Sequence, residues 1–164
     1  MSMERFGKTL PTVVNGISID DARWKPTGED WSILEILRHL GDEEVDDFRT
    51  RLRLTLENPA QEWPGIYPSD WAVQRKYNEA NFDEAVSRFV DERAASIKWL
   101  RGLREDVDWS IAHQHPKVGP IRAGDLLAAW AAHDCLHLRQ ISKRLYQLTQ
   151  RDAGAFSVRY AGEW

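Results

Sequence analysis

Trp31-Ser32-Ile33-Leu34-Glu35-Ile36-Leu37-Arg38-His39-Leu40 is the stretch that decides the fold. Ser32 can accept from the backbone amide of Glu35, and the Glu35 side chain can reach back to the amide of Ser32. Trp31 and Ile36 then occupy the two staple positions, which together mark a helix start. From there Ile33, Ile36, Leu37, Leu40, Phe48, Leu52 and Leu56 recur mostly three and four apart until Asn58-Pro59. That spacing predicts one helix over 32–57, about 37 Å long at 1.5 Å per residue.

Working outward, Asn81 with Glu84 repeats the capping logic. Phe82, Val86, Phe89, Val90, Ile97 and Leu100 predict a helix over 82–103. Leu126, Leu127, Trp130, Leu138, Ile141, Leu145 and Leu148 predict another over 123–150. Phe6, Leu10, Val13, Val14 and Ile17 predict an N-terminal helix that Pro11 either kinks or begins. No segment alternates with period two for long enough to predict a sheet. Residues 59–80 read as a Pro/Trp-rich connection with one short helix after Ser69, long enough to be a lid or a docked loop. Residues 109–122 read as loop, with Pro116, Gly119 and Pro120 as breakers. Residues after 151 read as an extended tail on the outside. The expected architecture is all-α: a four-helix bundle forming a single domain over 1–164.

Composition narrows the function. The chain has 164 residues, 29% of them charged, with a net charge of −4. A balance this mildly acidic argues against nucleic acid as a partner, since such binders carry a basic footprint. The longest apolar run, 126–132, is far short of a membrane span, and the first residues lack the apolar core of a signal peptide, so the expected address is cytoplasmic. One cysteine, Cys135, excludes an internal disulfide and a four-thiolate zinc site. It falls on the far side of its helix from the histidines and reads as a small buried or surface residue rather than a nucleophile. The eight tryptophans exceed what a core of this size needs, so some can line a pocket.

His133 and His137 stand one turn apart on one helix face, a spacing that lets two imidazoles reach one ion at about 2.0–2.1 Å. Five histidines in a chain this long give roughly 0.15 such pairs by accident, so a third ligand is needed. His39, on the shoulder of the first capped helix, is the candidate. Three neutral imidazoles with an open fourth position make a catalytic rather than structural metal site. Glu43, four residues after His39, points the right way to orient a ligand or to act as general base. The rest of the acidic run 42–47 reads as a solvated face. His113 and His115 lack a third partner in sequence and read as solvated. No Gly-rich phosphate loop, G-x-S-x-G or His-Glu-x-x-His occurs, which disfavours peptidase activity.

Two charges sit where patterning expects apolar residues. Arg93 lies between Phe89 and Ile97, and Asp134 between Trp130 and Leu138. Buried alone, either would cost several kcal/mol, so each needs a partner or a wet cavity. Asp134 is expected to orient a buried donor such as the free nitrogen of His39. Gln140, beside the histidine pair, is a second candidate to orient a ligand from behind. Arg93 is expected to pair with Glu44 or Asp47, or to anchor an anionic substrate as part of the catalytic machinery. On that reading Arg93→Met spares the fold and changes ligand affinity.

The segments 31–40 and Ala132-His133-Asp134-Cys135-Leu136-His137-Leu138-Arg139-Gln140-Ile141, taken in order, resemble the DinB/YfiT-like superfamily. The resemblance covers nearly the whole chain. It implies a four-helix bundle, commonly a homodimer, with His39, His133 and His137 holding a divalent transition metal such as nickel or zinc. It further implies a metal-dependent enzyme acting on a small-molecule substrate. Such an enzyme activates water, as a hydrolase, or a low-molecular-weight thiol cosubstrate, as a transferase. A non-catalytic binding protein for a metal or small ligand is the alternative. Arg122 departs from the serine or threonine expected before the last helix, which weakens a cap and touches no ligand.

Overall fold

The computed structural model describes residues 2–162 and 164. Met1 and Glu163, the latter within the tail read as extended, lie outside the described residues. Among the described residues seven α-helices are present: α1 (Ser2–Val13), α2 (Ile19–Arg23), α3 (Ile33–Asp42), α4 (Arg49–Glu57), α5 (Pro68–Gln74), α6 (Phe82–Arg101) and α7 (Ala123–Asp152). Between α3 and α4 the chain stays helical but widens to a π-helical segment, Glu43–Phe48, so 33–57 is one rod. That rod, α1, α6 and α7 form the four-helix bundle expected from the periodicity. No helix among the described residues is long and apolar enough to cross a membrane.

The caps form as the sequence predicts. Ser32 Oγ accepts from the Glu35 amide at 3.1 Å, and the Ser32 amide donates to Glu35 Oε2 at 2.8 Å. Asn81 Oδ1 accepts from the Glu84 amide at 3.0 Å. At α7 the missing hydroxyl is replaced from the other side. Asp125 reaches back to the backbone amide and guanidinium of Arg122. Pro11 does not start α1. It sits in the last turn, where its missing N–H forgoes only the bond to Gly7.

Three expectations are corrected. Residues 109–122 are not all loop: β1 (Ala112–His115) and β2 (Gly119–Arg122) pair antiparallel, with His113 opposite Ile121. Four residues per strand are too few for alternation to show. Gly119 adopts φ +81°, which the turn requires, and Pro120 sits in a two-stranded ribbon where every strand is an edge. His113 is buried in this hairpin rather than solvated, with its ring stacked on Trp63. The acidic run is not a solvated face either. Asp42, Glu43, Glu44 and Asp47 are all buried, because the wide π turn and the neighbouring helices give each a partner.

The core divides in two around one polar layer. Phe6, Leu10, Ile36, Leu37, Leu40, Phe89 and Ile141 pack on one side, and Met3, Phe48, Leu52, Leu126 and Trp130 on the other. Between them Arg93 of α6 donates to Glu44 of the π segment, to Asp134 of α7 and to the Met3 carbonyl of α1. One guanidinium thus ties all four bundle helices together. Gly7 admits it, since a Cβ there would stand 3.0 Å from Arg93 Cγ.

Candidate metal centre

The C-terminal turn of α3 and the middle of α7 bring His39, His133 and His137 together across 98 residues of sequence. His137 Nε2 lies 3.1 Å from His39 Nε2 and 3.0 Å from His133 Nε2. A tetrahedral ion with bonds of about 2.0–2.1 Å would hold its ligand nitrogens about 3.3 Å apart. Among the described residues this is the cluster able to hold a metal ion. His137 Nδ1 donates to Gln140 Oε1 at 2.9 Å, which leaves Nε2 as a lone pair aimed at the other two rings. One lone pair cannot accept in line from both neighbours, whereas a cation between three nitrogens satisfies all of them.

Electrostatics prepare the rings. Burial, then the neighbouring His137 and His133, holds His39 down at about 2. Burial, then His137 and Arg93, holds His133 at about 3, and burial lowers His137 as well. All three are neutral near pH 7, the form that ligates metal. Trp31 packs edge-on against His39 and Phe48 against His133, fixing ring orientation. Arg144 of α7 holds the rim by donating to the Trp31 carbonyl and to Asp30, each at 2.9 Å.

The cluster opens on a cavity of about 630 Å³ lined also by Glu29, Asp30, Trp31, Glu43, Asp47 and Phe48. Glu43 Oε1 stands 3.5 Å from His39 Nδ1. Burial and then the Asp47 carboxylate push Glu43 up to about 9, so it holds a proton at neutral pH and shares a hydrogen bond with Asp47. The sequence reading missed Asp47 here. Its position one turn after Glu43 was the available signal. It missed Glu29 and Asp30 too, which local pattern does not mark.

Gln140 and Glu43 therefore lie against the histidines, whereas Asp134 and Arg93 do not. Asp134 faces Arg93 instead of His39, and the contact behind His39 comes from Glu43. Arg93 is outside the cavity lining. Its five N–H groups are taken by Glu44, Asp134 and Met3, so none remains to anchor a substrate. The pairing expected with Glu44 is present, and the catalytic role assigned to Arg93 is withdrawn.

No curated protein matches this chain. Among solved structures it is similar to YfiT from Bacillus subtilis, described as a probable metal-dependent hydrolase with an unusual four-helix bundle topology. That likeness has 15% identity and a TM-score of 0.79, covering 90% of this chain and 84% of that one. At this identity the likeness speaks to the fold. A family model described as the DinB superfamily matches residues 3–141, from α1 through both histidine-bearing segments. The match reaches into every bundle helix and takes in all three clustered histidines, and the chain belongs to the DinB superfamily.

Proposed function

We propose that this chain is a metal-dependent enzyme, in the first instance a hydrolase of a small molecule, with nickel or zinc held by His39, His133 and His137. One observation carries the reading: three neutral imidazoles turn their Nε2 atoms toward one another at the floor of an open cavity. An ion bound there supplies a lowered pKa to water or a thiol, giving a nucleophile near neutral pH. Gln140 fixes the tautomer and direction of His137, and Glu43 supports His39. Glu43, protonated through the Asp47 contact, would act toward a leaving group as a general acid rather than as the general base expected from sequence. Trp31 and Phe48 give the cavity apolar walls for a small substrate. The relative YfiT, a probable metal-dependent hydrolase, supports the same reading.

Metal analysis of untagged protein, followed by assays on ester, amide and thiol-acceptor panels, tests it. The expected result is one divalent ion per chain, lost in His133→Ala or His137→Ala. Glu43→Gln should keep the ion and lower turnover by about 10²-fold or more. Full metal occupancy in either histidine variant overturns the site. Full occupancy with no turnover on any panel favours a non-catalytic binding protein.

A further inference from the structure

A second cavity, of about 870 Å³, lies between the strap of residues 59–67 and the β1–β2 hairpin. Its aromatic wall is preassembled. Trp63 stacks on His113 with ring centres 4.2 Å apart and planes 20° apart, and the Arg51 guanidinium stands 5.0 Å from the Trp63 ring centre. Each piece is tied down separately. His113 Nδ1 donates to the Pro59 carbonyl at 3.0 Å, and Arg51 Nη2 donates to the Pro64 carbonyl at 2.9 Å.

The cationic and imidazole side chains of this cavity outnumber its acids. Arg51, Lys117, His113 and His115 line it against one acid, Glu62. The indole Nε1–H of Trp63 is buried with no hydrogen-bond partner among the described residues. Among the described residues Lys117 makes no ion pair, and it is exposed at the hairpin turn. A buried donor left unmade costs about 1–3 kcal/mol, so such a site favours a ligand that accepts hydrogen bonds. The histidine cavity has the opposite character. Glu29, Asp30, Glu43 and Asp47 line it, with no lysine or arginine. Arg51, which lines this cavity, and Asp47, which lines the other, form an ion pair with Nε 3.0 Å from Oδ1.

We infer that the cavity bounded by Trp63, His113, Arg51 and Lys117 is a binding site for a small molecule bearing an oxyanion, carboxylate or phosphate. Oxyanions suit it because the Arg51 guanidinium is a directed donor at its wall and Lys117 adds a point charge, while the Trp63 N–H is left without a partner. The site does not depend on a metal at His39, His133 and His137.

The test uses metal-free, full-length, ¹⁵N-labelled protein at constant ionic strength. The indole N–H resonance of Trp63, assigned with Trp63→Phe, is followed during separate titrations with inorganic phosphate and with succinate. A saturable shift at Trp63 is expected with one anion or both, and which of them saturates tells phosphoryl from carboxylate ligands. The double variant Lys117→Ala/His115→Ala, both outside the helical core, should weaken binding about tenfold. No saturable shift with either anion overturns the site, as does an undiminished shift in the double variant. A response confined to Trp31 beside His39 overturns it too, because the anion then sits in the other cavity. Since no metal is present, none of these results bears on the three-histidine reading.

Discussion

The guanidinium of Arg93 faces the carboxylate of Asp134 edge to edge, with Nη1 2.6 Å from Oδ2 and Nη2 2.7 Å from Oδ1. Both residues are 2% exposed. The same guanidinium donates to Glu44 Oε1 through Nε and Nη2, and Trp130 Nε1 donates to that oxygen at 2.8 Å. The pair lies one residue along α7 from His133, so the polar layer sets the register that carries the histidines.

Arg93→Met should destabilise the protein by about 3–5 kcal/mol, because it leaves two buried carboxylates without their cation. This replaces the expectation from sequence that the substitution would spare the fold. A denaturant titration reads it as a lower midpoint at an unchanged slope. Adding Glu44→Gln and Asp134→Asn should recover part of the loss. An unaffected midpoint in the single variant would mean that the layer is not a structural tie.

Gln140→Leu should weaken metal binding about 10–100-fold while leaving the fold unchanged, since it removes the acceptor that fixes the His137 tautomer. Competition against a chelating dye measures the change. Equal affinity in the two proteins would show that Gln140 does not position the ligand.

The metal-free protein should lose stability as pH falls below about 6.5. The three histidines have folded pKa values below the ordinary histidine value, so in that window the unfolded chain takes up protons that the folded site refuses. Their contribution is whole above the unfolded pKa and is lost on acidification. Glu43 acts in the opposite sense. Its pKa is raised to about 9, so its contribution is present at low pH and lost as pH rises from about 4.5 through 9. Thermal melts from pH 5 to 9 should show both limbs, with Glu43→Gln removing most of the alkaline one. A melting temperature that does not fall between pH 6.5 and 5 would contradict the buried neutral site.

Ser32→Ala should cost about 0.5–2 kcal/mol through loss of the N-cap of α3. It also removes the 2.6 Å hydrogen bond from the Ser32 hydroxyl to Asn78, so the upper end of the range is expected. A melting curve checks it. A change within a few tenths of a kcal/mol would mean that packing alone starts the helix.

The four bundle helices, the caps of α3 and α6 and the His133–His137 pair were legible from short-range pattern. Each depends on residues within a turn or two of one another, where spacing in sequence is spacing in space. Ser32 with Glu35, and Asn81 with Glu84, close locally whatever the rest of the chain does. His39 was legible as a ligand candidate only by its helical shoulder.

Tertiary structure decided the rest. The level at which α3 meets α7 puts His39 Nε2 against His137 Nε2, and that level depends on how whole helices pack. The choice of Asp134 for Arg93 rather than for His39 has the same origin, since a buried charge takes the partner that helix register brings within reach. The π segment that buries Glu43, Glu44 and Asp47 leaves no mark in apolar spacing, because the residues it turns inward are carboxylates. The β1–β2 hairpin is too short for periodicity to show. Its place beside Trp63 follows from a stack between residues fifty positions apart, a contact that sequence spacing does not encode.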